Sequence, residues 1–207
     1  MTPTGKPRVK KEPPPPTPKQ AKPWDLLSKP RNGDQNENIT FLSVGKAMSQ
    51  WEFFEAYLGL IYGQLVGDVS ETSPAMRAYG VVSSFSTRLE MIDQAAKAHF
   101  FAFPDDVALL LKDLLESAKR FSARRNEIAH GIVQPYQPQG LSIPGYALLP
   151  SRHATRKREL SNNPIKGNAE IISAYAYASD EIDYFGECFS ALANQAMDFY
   201  SLIARRT

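Results

Sequence analysis

Asp105 to Gly131 reads DDVALLLKDLLESAKRFSARRNEIAHG, and this stretch decides the fold. Val107, Leu111, Leu114, Ala118, Phe121, Arg125 and Ile128 recur three and four positions apart, the spacing of one face of an amphipathic helix. Pro104, Asp105 and Asp106 suit a helix start, because acidic side chains complement the positive end of the helix dipole. Gly131 is expected to close the helix in a left-handed cap. One member of the stripe is a guanidinium. Burying it without partners is costly, so Arg125 is expected to meet an anion, backbone carbonyls or a second subunit.

The same periodicity extends in both directions. Phe41, Val44, Met48, Trp51, Phe54, Leu58, Ile61 and Leu65 predict a helix over 39–65. Ser73 and Pro74 form an N-cap and first-turn pair, and the following stripe, Val82, Phe85, Leu89, Ile92, Ala96, His99 and Phe103, predicts a second helix reaching 103. Ile182, Phe185, Phe189, Leu192, Ala196, Phe199 and Ile203 mark a last helix over 180–206, with Ser179 and Asp180 offering capping oxygens and Arg205 and Arg206 at its end. Asp180, Glu181 and Asp183 read as a helix start rather than a metal site. The expected fold class is therefore all-α, an antiparallel bundle of four to five helices. Prolines and glycines between 132 and 175 rule out a long helix and leave an inserted arm, in which Gly145–Leu149 can pair as a hairpin. No alternating pattern of sheet length and no internal repeat is visible.

Nine of the sixteen prolines lie in residues 1–30, including the run Pro13 to Pro16. Residues 1–37 are accordingly expected to form a disordered, basic tail in front of a domain over 38–207, with Trp24, Leu26 and Leu27 able to dock on it. Eight Lys and Arg oppose two acidic residues in 1–31, a charge of +6 against +2 for the whole chain, so the remainder carries −4. Any anion site in the domain must be local.

Composition excludes several classes. The lone Cys188 forbids an internal disulfide and any multi-cysteine zinc site, and among Phe185, Phe189 and Leu192 it reads as a structural thiol. No apolar run approaches the roughly 20 residues that cross a bilayer, and the N-terminus has no apolar segment typical of a secretory signal, so the expected location is the cytoplasm, with no membrane partner. Phosphate loops, GxGxxG, HExxH and CxxC are absent from the sequence, so no cofactor and no metal is expected.

Chemistry concentrates at Arg125-Asn126-x-x-x-His130. Imidazole titrates near neutrality, so His130 can take a proton from a ribose 2′-hydroxyl or return one to the leaving 5′-oxygen. The planar guanidinium of Arg125 suits phosphate oxygens, and Asn126, four residues before His130, can orient either group. Lys119, Arg120 and Arg124 on the helix, with Arg152, Arg156, Lys157 and Arg158 in the arm, are the candidate RNA-binding residues. One difficulty follows from geometry: on an ideal helix five residues place Arg125 and His130 about 140° apart, so they converge only where the helix end opens or a cleft wraps both.

This motif resembles the Arg-x4-6-His signature of the HEPN superfamily, small helical domains that include many metal-independent ribonucleases. The resemblance covers about residues 39–131 and 176–206, with the motif late in one helix and a closing helix after it. It implies catalytic roles for Arg125, Asn126 and His130, a homodimer whose two motifs share a cleft, and service as a toxin or phage-defence effector, in many members beside an antitoxin. Ile132 stands where some members carry a tyrosine modified by a nucleotidyltransferase antitoxin. The competing expectation is a non-catalytic bundle that binds RNA or a protein, in which His130 caps carbonyls and Arg125 pairs with a carboxylate.

Overall fold

The computed structural model describes residues 21–102, 105–138, 144–163 and 168–205. Most of it is helical, as the apolar stripes require. Helix α1 (Glu37–Val66) starts at Asn36, whose side chain accepts from the Asn38 amide, and stops at Gly67 in the left-handed region at φ 81°. Trp51, Phe54, Leu58, Ile61 and Leu65 of the expected stripe are buried, whereas its first member, Phe41, is 52% exposed and Ala47, outside the stripe, is buried. Trp51 sits at the centre, with Phe54 and Phe189 edge-on and Phe85 tilted against it. Helix α5 (Ser179–Ala204) packs along α1, and Gly186 against Ala47 lets the two backbones approach.

The second predicted helix is two. Helix α2 (Pro74–Gly80) is capped by Ser73, and α3 (Phe85–His99) starts afresh at Ser84, whose hydroxyl accepts from the Thr87 amide. The break is local chemistry: Gly80 and the β-branched Val81 and Val82 propagate a helix poorly, and Ser84 offers a second cap. A short 3-10 turn, Phe100–Ala102, follows, with His99 edge-on to Phe100. Helix α4 then runs unbroken from Asp105 to His130.

Gly131 does not form the expected left-handed cap. Among the described residues the only positive-φ glycine is Gly67, and Gly131 instead opens strand β1 (Gly131–Tyr136) directly after the helix. A side chain there would meet the Glu127 carbonyl at 2.9 Å, so the glycine serves a close approach rather than a handedness.

The arm holds more sheet than its sequence announces. Strand β1 pairs antiparallel with β2 (Gly145–Pro150), and β3 (Arg158–Asn163) pairs with β4 (Asn168–Ser173), giving two separate two-stranded sheets. The hairpin expected around Gly145–Leu149 is thus present, and the two sheets together correct the all-α expectation to a mostly helical fold with short strands. A 3-10 turn, Thr155–Lys157, leads into β3.

Residues 22–36, assigned from the sequence to the tail, run across the bundle. Trp24 meets the edge of Phe121 and carries the Arg120 guanidinium 5.2 Å from its ring centre, and Leu27 also packs on the core. Asp34 exchanges both backbone hydrogen bonds with Tyr146 of β2. Its carboxylate accepts from the Thr40 hydroxyl at 2.6 Å and from the Ser179 hydroxyl and amide at 2.6 and 3.0 Å, tying the starts of α1 and α5 together. Ser179 therefore acts as a ligand of Asp34 and not as the cap of α5; Glu181 turns back to accept from the Ala178 amide. The tail before residue 21 lies outside the described residues, as does Arg206. Among the described residues no helix is long and apolar enough to cross a membrane.

Candidate functional site

The last two turns of α4 carry two polar clusters on different sides. Arg125 faces α1. Its guanidinium lies 5.9 Å over the Trp51 ring and 3.5 Å from Glu55 Oε1, with Glu52 Oε1 farther at 3.9 Å. Glu55 also accepts from Trp51 Nε1 at 2.5 Å and from Arg88 Nη1 at 2.7 Å, so one carboxylate joins arginines of α3 and α4. The expectation that Arg125 rides the apolar stripe and meets an anion holds. Its side chain remains 26% exposed, and Nη1 donates to Asn126 Oδ1 at 3.1 Å. Asn126 thus binds Arg125, and both are open to a ligand from outside.

His130 is exposed at the last helical position, with no partner among the described residues. Because α4 stays regular through it, Arg125 and His130 leave the axis about 140° apart and roughly 7.5 Å along it. The helix end does not open between them. Within one chain, regular helix geometry does not bring the pair together.

The second cluster surrounds Glu127, which sequence reading missed. Glu127 is 5% exposed; its carboxylate accepts from Tyr177 OH and Lys157 Nζ, each at 2.7 Å, and forms an ion pair with Arg124 Nη1 at 3.1 Å, while Arg124 Nη1 donates to Tyr177 OH at 3.3 Å. Tyr175 OH donates to its backbone oxygen at 3.1 Å. Burial, with Glu127 as the next cause, pushes the Tyr175 phenol up to about 12 and the Tyr177 phenol higher still, so both remain donors at neutral pH. The Tyr-x-Tyr alternation at 175 and 177 puts two stacked rings over the helix end, and it was the one visible signal of this cluster.

The basic residues therefore divide. Arg124 is only 12% exposed and, like Lys157, is engaged by Glu127. The Nε atoms of Arg124 and Arg125 are buried with no acceptor among the described residues. Arg120 stacks on Trp24, and Lys119 lies exposed beside α3 in a groove with Leu89, Asp93 and Glu116. Arg158 Nε donates to the Pro150 carbonyl at 3.3 Å, and Pro150 pairs with Gly131, the residue after His130. Arg152 and Arg156 are exposed in the same part of the arm. The arm thus returns to the motif's helix end, while Lys119 and Arg120 belong to earlier turns.

Comparison with family models, with curated proteins and with solved structures returns no match. Among the described residues no three His, Cys, Asp or Glu side chains gather closely enough to hold a metal ion.

Proposed function

We propose that the chain is a HEPN-type, metal-independent endoribonuclease that leaves 2′,3′-cyclic phosphate ends. The observation that carries this reading is that an exposed His130, without a partner among the described residues, and a partly exposed, carboxylate-held Arg125 both stand on the closing turns of one helix. His130 would take the proton of a ribose 2′-hydroxyl as that oxygen attacks the adjacent phosphorus, or return a proton to the departing 5′-oxygen. Arg125 would stabilise the charge that gathers on the phosphoryl oxygens, displacing the long contact to Glu52. Asn126 would keep the guanidinium in place through Oδ1.

The divergence of Arg125 and His130 around the helix gives a second chain a role. In a homodimer, His130 of one copy and Arg125 of the other can line one cleft. Leu42 and Phe53, 59% and 60% exposed on α1, supply apolar surface for such contact. The reading extends to a toxin or phage-defence effector governed by an antitoxin or regulatory protein.

RNA incubated with the purified protein in EDTA should yield 2′,3′-cyclic phosphate ends, and His130→Ala and Arg125→Ala should each remove them. Cleavage equal to that of the variants, across several RNAs, would overturn the proposal. The engagement of Arg125 by Glu55 favours a second reading, a non-catalytic bundle that binds RNA or a protein through the same surface. RNA binding without cleavage would support it.

A further inference from the structure

Three side chains converge on Glu127 from three parts of the chain: Arg124 of α4 by an ion pair, and Lys157 from the 3-10 turn of the arm and Tyr177 from the segment entering α5 by hydrogen bonds. The turn is held on its backbone as well, since the Lys157 amide donates to Ala154 and its carbonyl accepts from the Ala174 amide, both at 2.8 Å. On either side of Lys157 stand Arg156, exposed, and Arg158, anchored to the Pro150 carbonyl next to Gly131. Breaking the grip on Lys157 would free an arm side chain that reaches into the helix end. A buried carboxylate is a weak source of net stability, because its desolvation offsets much of its attraction; its geometric effect is to fix where the arm sits.

We infer that Glu127 is a positioning residue for phosphate binding: through Lys157 it latches the arm to the end of α4, so that Arg156 and Arg158 form a rim beside His130 that takes the phosphates of single-stranded RNA. Lys157 and Arg124 are committed to the latch and do not touch the ligand. This inference rests on the RNA-directed part of the proposed function, but not on cleavage.

The test uses the full chain and a fluorescein-labelled, mixed-sequence single-stranded RNA with 2′-O-methyl riboses, which removes the attacking hydroxyl. Anisotropy titrations over a range of salt give affinity and its salt slope. Lys157→Met should weaken binding about tenfold and lower the slope by about 1.4, the value for two lost phosphate contacts on a single strand. Lys157→Arg should restore both. Arg156→Ala with Arg158→Ala should cost the parent as much, yet nothing further in the Lys157→Met chain. Trypsin should cut the arm faster in Lys157→Met, while circular dichroism shows the helices intact.

Unchanged affinity, strictly additive losses, a slope change of about 0.7 that marks Lys157 as a direct contact, or no RNA binding by the parent would each overturn the inference. Coupled binding losses in a protein that never cuts RNA would leave the latch standing and remove the nuclease reading. Cleavage with unaffected binding in the latch variants would do the reverse.

Discussion

Gly131 and Leu148 approach so closely that a β-carbon on the glycine would stand 2.6 Å from Leu148 Cγ. Leu148 is buried, and the Glu127 carbonyl blocks the other side, so neither neighbour can withdraw freely. Gly131→Ala should therefore destabilise the fold by about 2 kcal/mol, in the range for overpacking a core. Urea unfolding followed by circular dichroism measures it; a loss below about 0.5 kcal/mol would mean that the helix-to-strand junction has room to spare.

Glu127→Ala leaves the Tyr177 hydroxyl buried without its acceptor and the 12%-exposed Arg124 without its counter-ion, and releases Lys157. Removing one partner of a buried ion pair costs about 3 kcal/mol or more. Glu127→Gln keeps the shape and one acceptor oxygen, so its loss should be the smaller. Equal stability of parent and Glu127→Ala in chemical denaturation would show the cluster to be energetically idle.

Asp34→Ala removes an acceptor shared by Thr40 and Ser179, the first turns of two helices. Hydrogen bonds to a charged group contribute about 1.5–3 kcal/mol each when singly removed, so a total near 3 kcal/mol is expected. Hydrogen exchange should speed up at the starts of both α1 and α5. Acceleration confined to residues 22–36 would contradict a joint tie.

Alkaline pH should unfold the protein through its buried phenols. Tyr175 is raised from its ordinary 10.0 to about 12, chiefly by burial, and Tyr177 and Tyr79 are raised further for the same first reason. The unfolded chain releases these protons near pH 10 while the native state keeps them. The stabilisation is thus complete below about pH 10 and is lost as pH climbs through 12. Absorbance at the phenolate band should rise in two phases, the later one coinciding with loss of helical dichroism. Ionisation of all nine tyrosines in one step before unfolding would disprove this.

The helices were legible because each apolar stripe keeps one register for many turns. The stripe over 82–103 was legible as a face, but it has no member between Pro74 and Val81, so periodicity could not mark the break between Gly80 and Ser84. The arm was read as irregular since β1 is short and includes Pro135, and since the residues closing it, Asp34 and Tyr177, lie far away in sequence. Arg125 on the stripe announced a buried cation and found its carboxylates. Glu127 gave no such warning: it lies off the apolar stripe and is buried only because Tyr175 and Tyr177 arrive from some fifty residues downstream.

Strand β2 has β1 along one border, and on the other Tyr146 is matched by Asp34 and Leu148 by Tyr177. A hairpin rim is ordinarily a template that another chain can extend. Here that rim is sealed by the residues that precede α1 and α5, so three distant stretches of chain close one another's open hydrogen bonds. A truncation that begins at α1 would keep the bundle's apolar stripes and still expose the peptide groups of Tyr146, turning a finished border into a place where two molecules can stitch together.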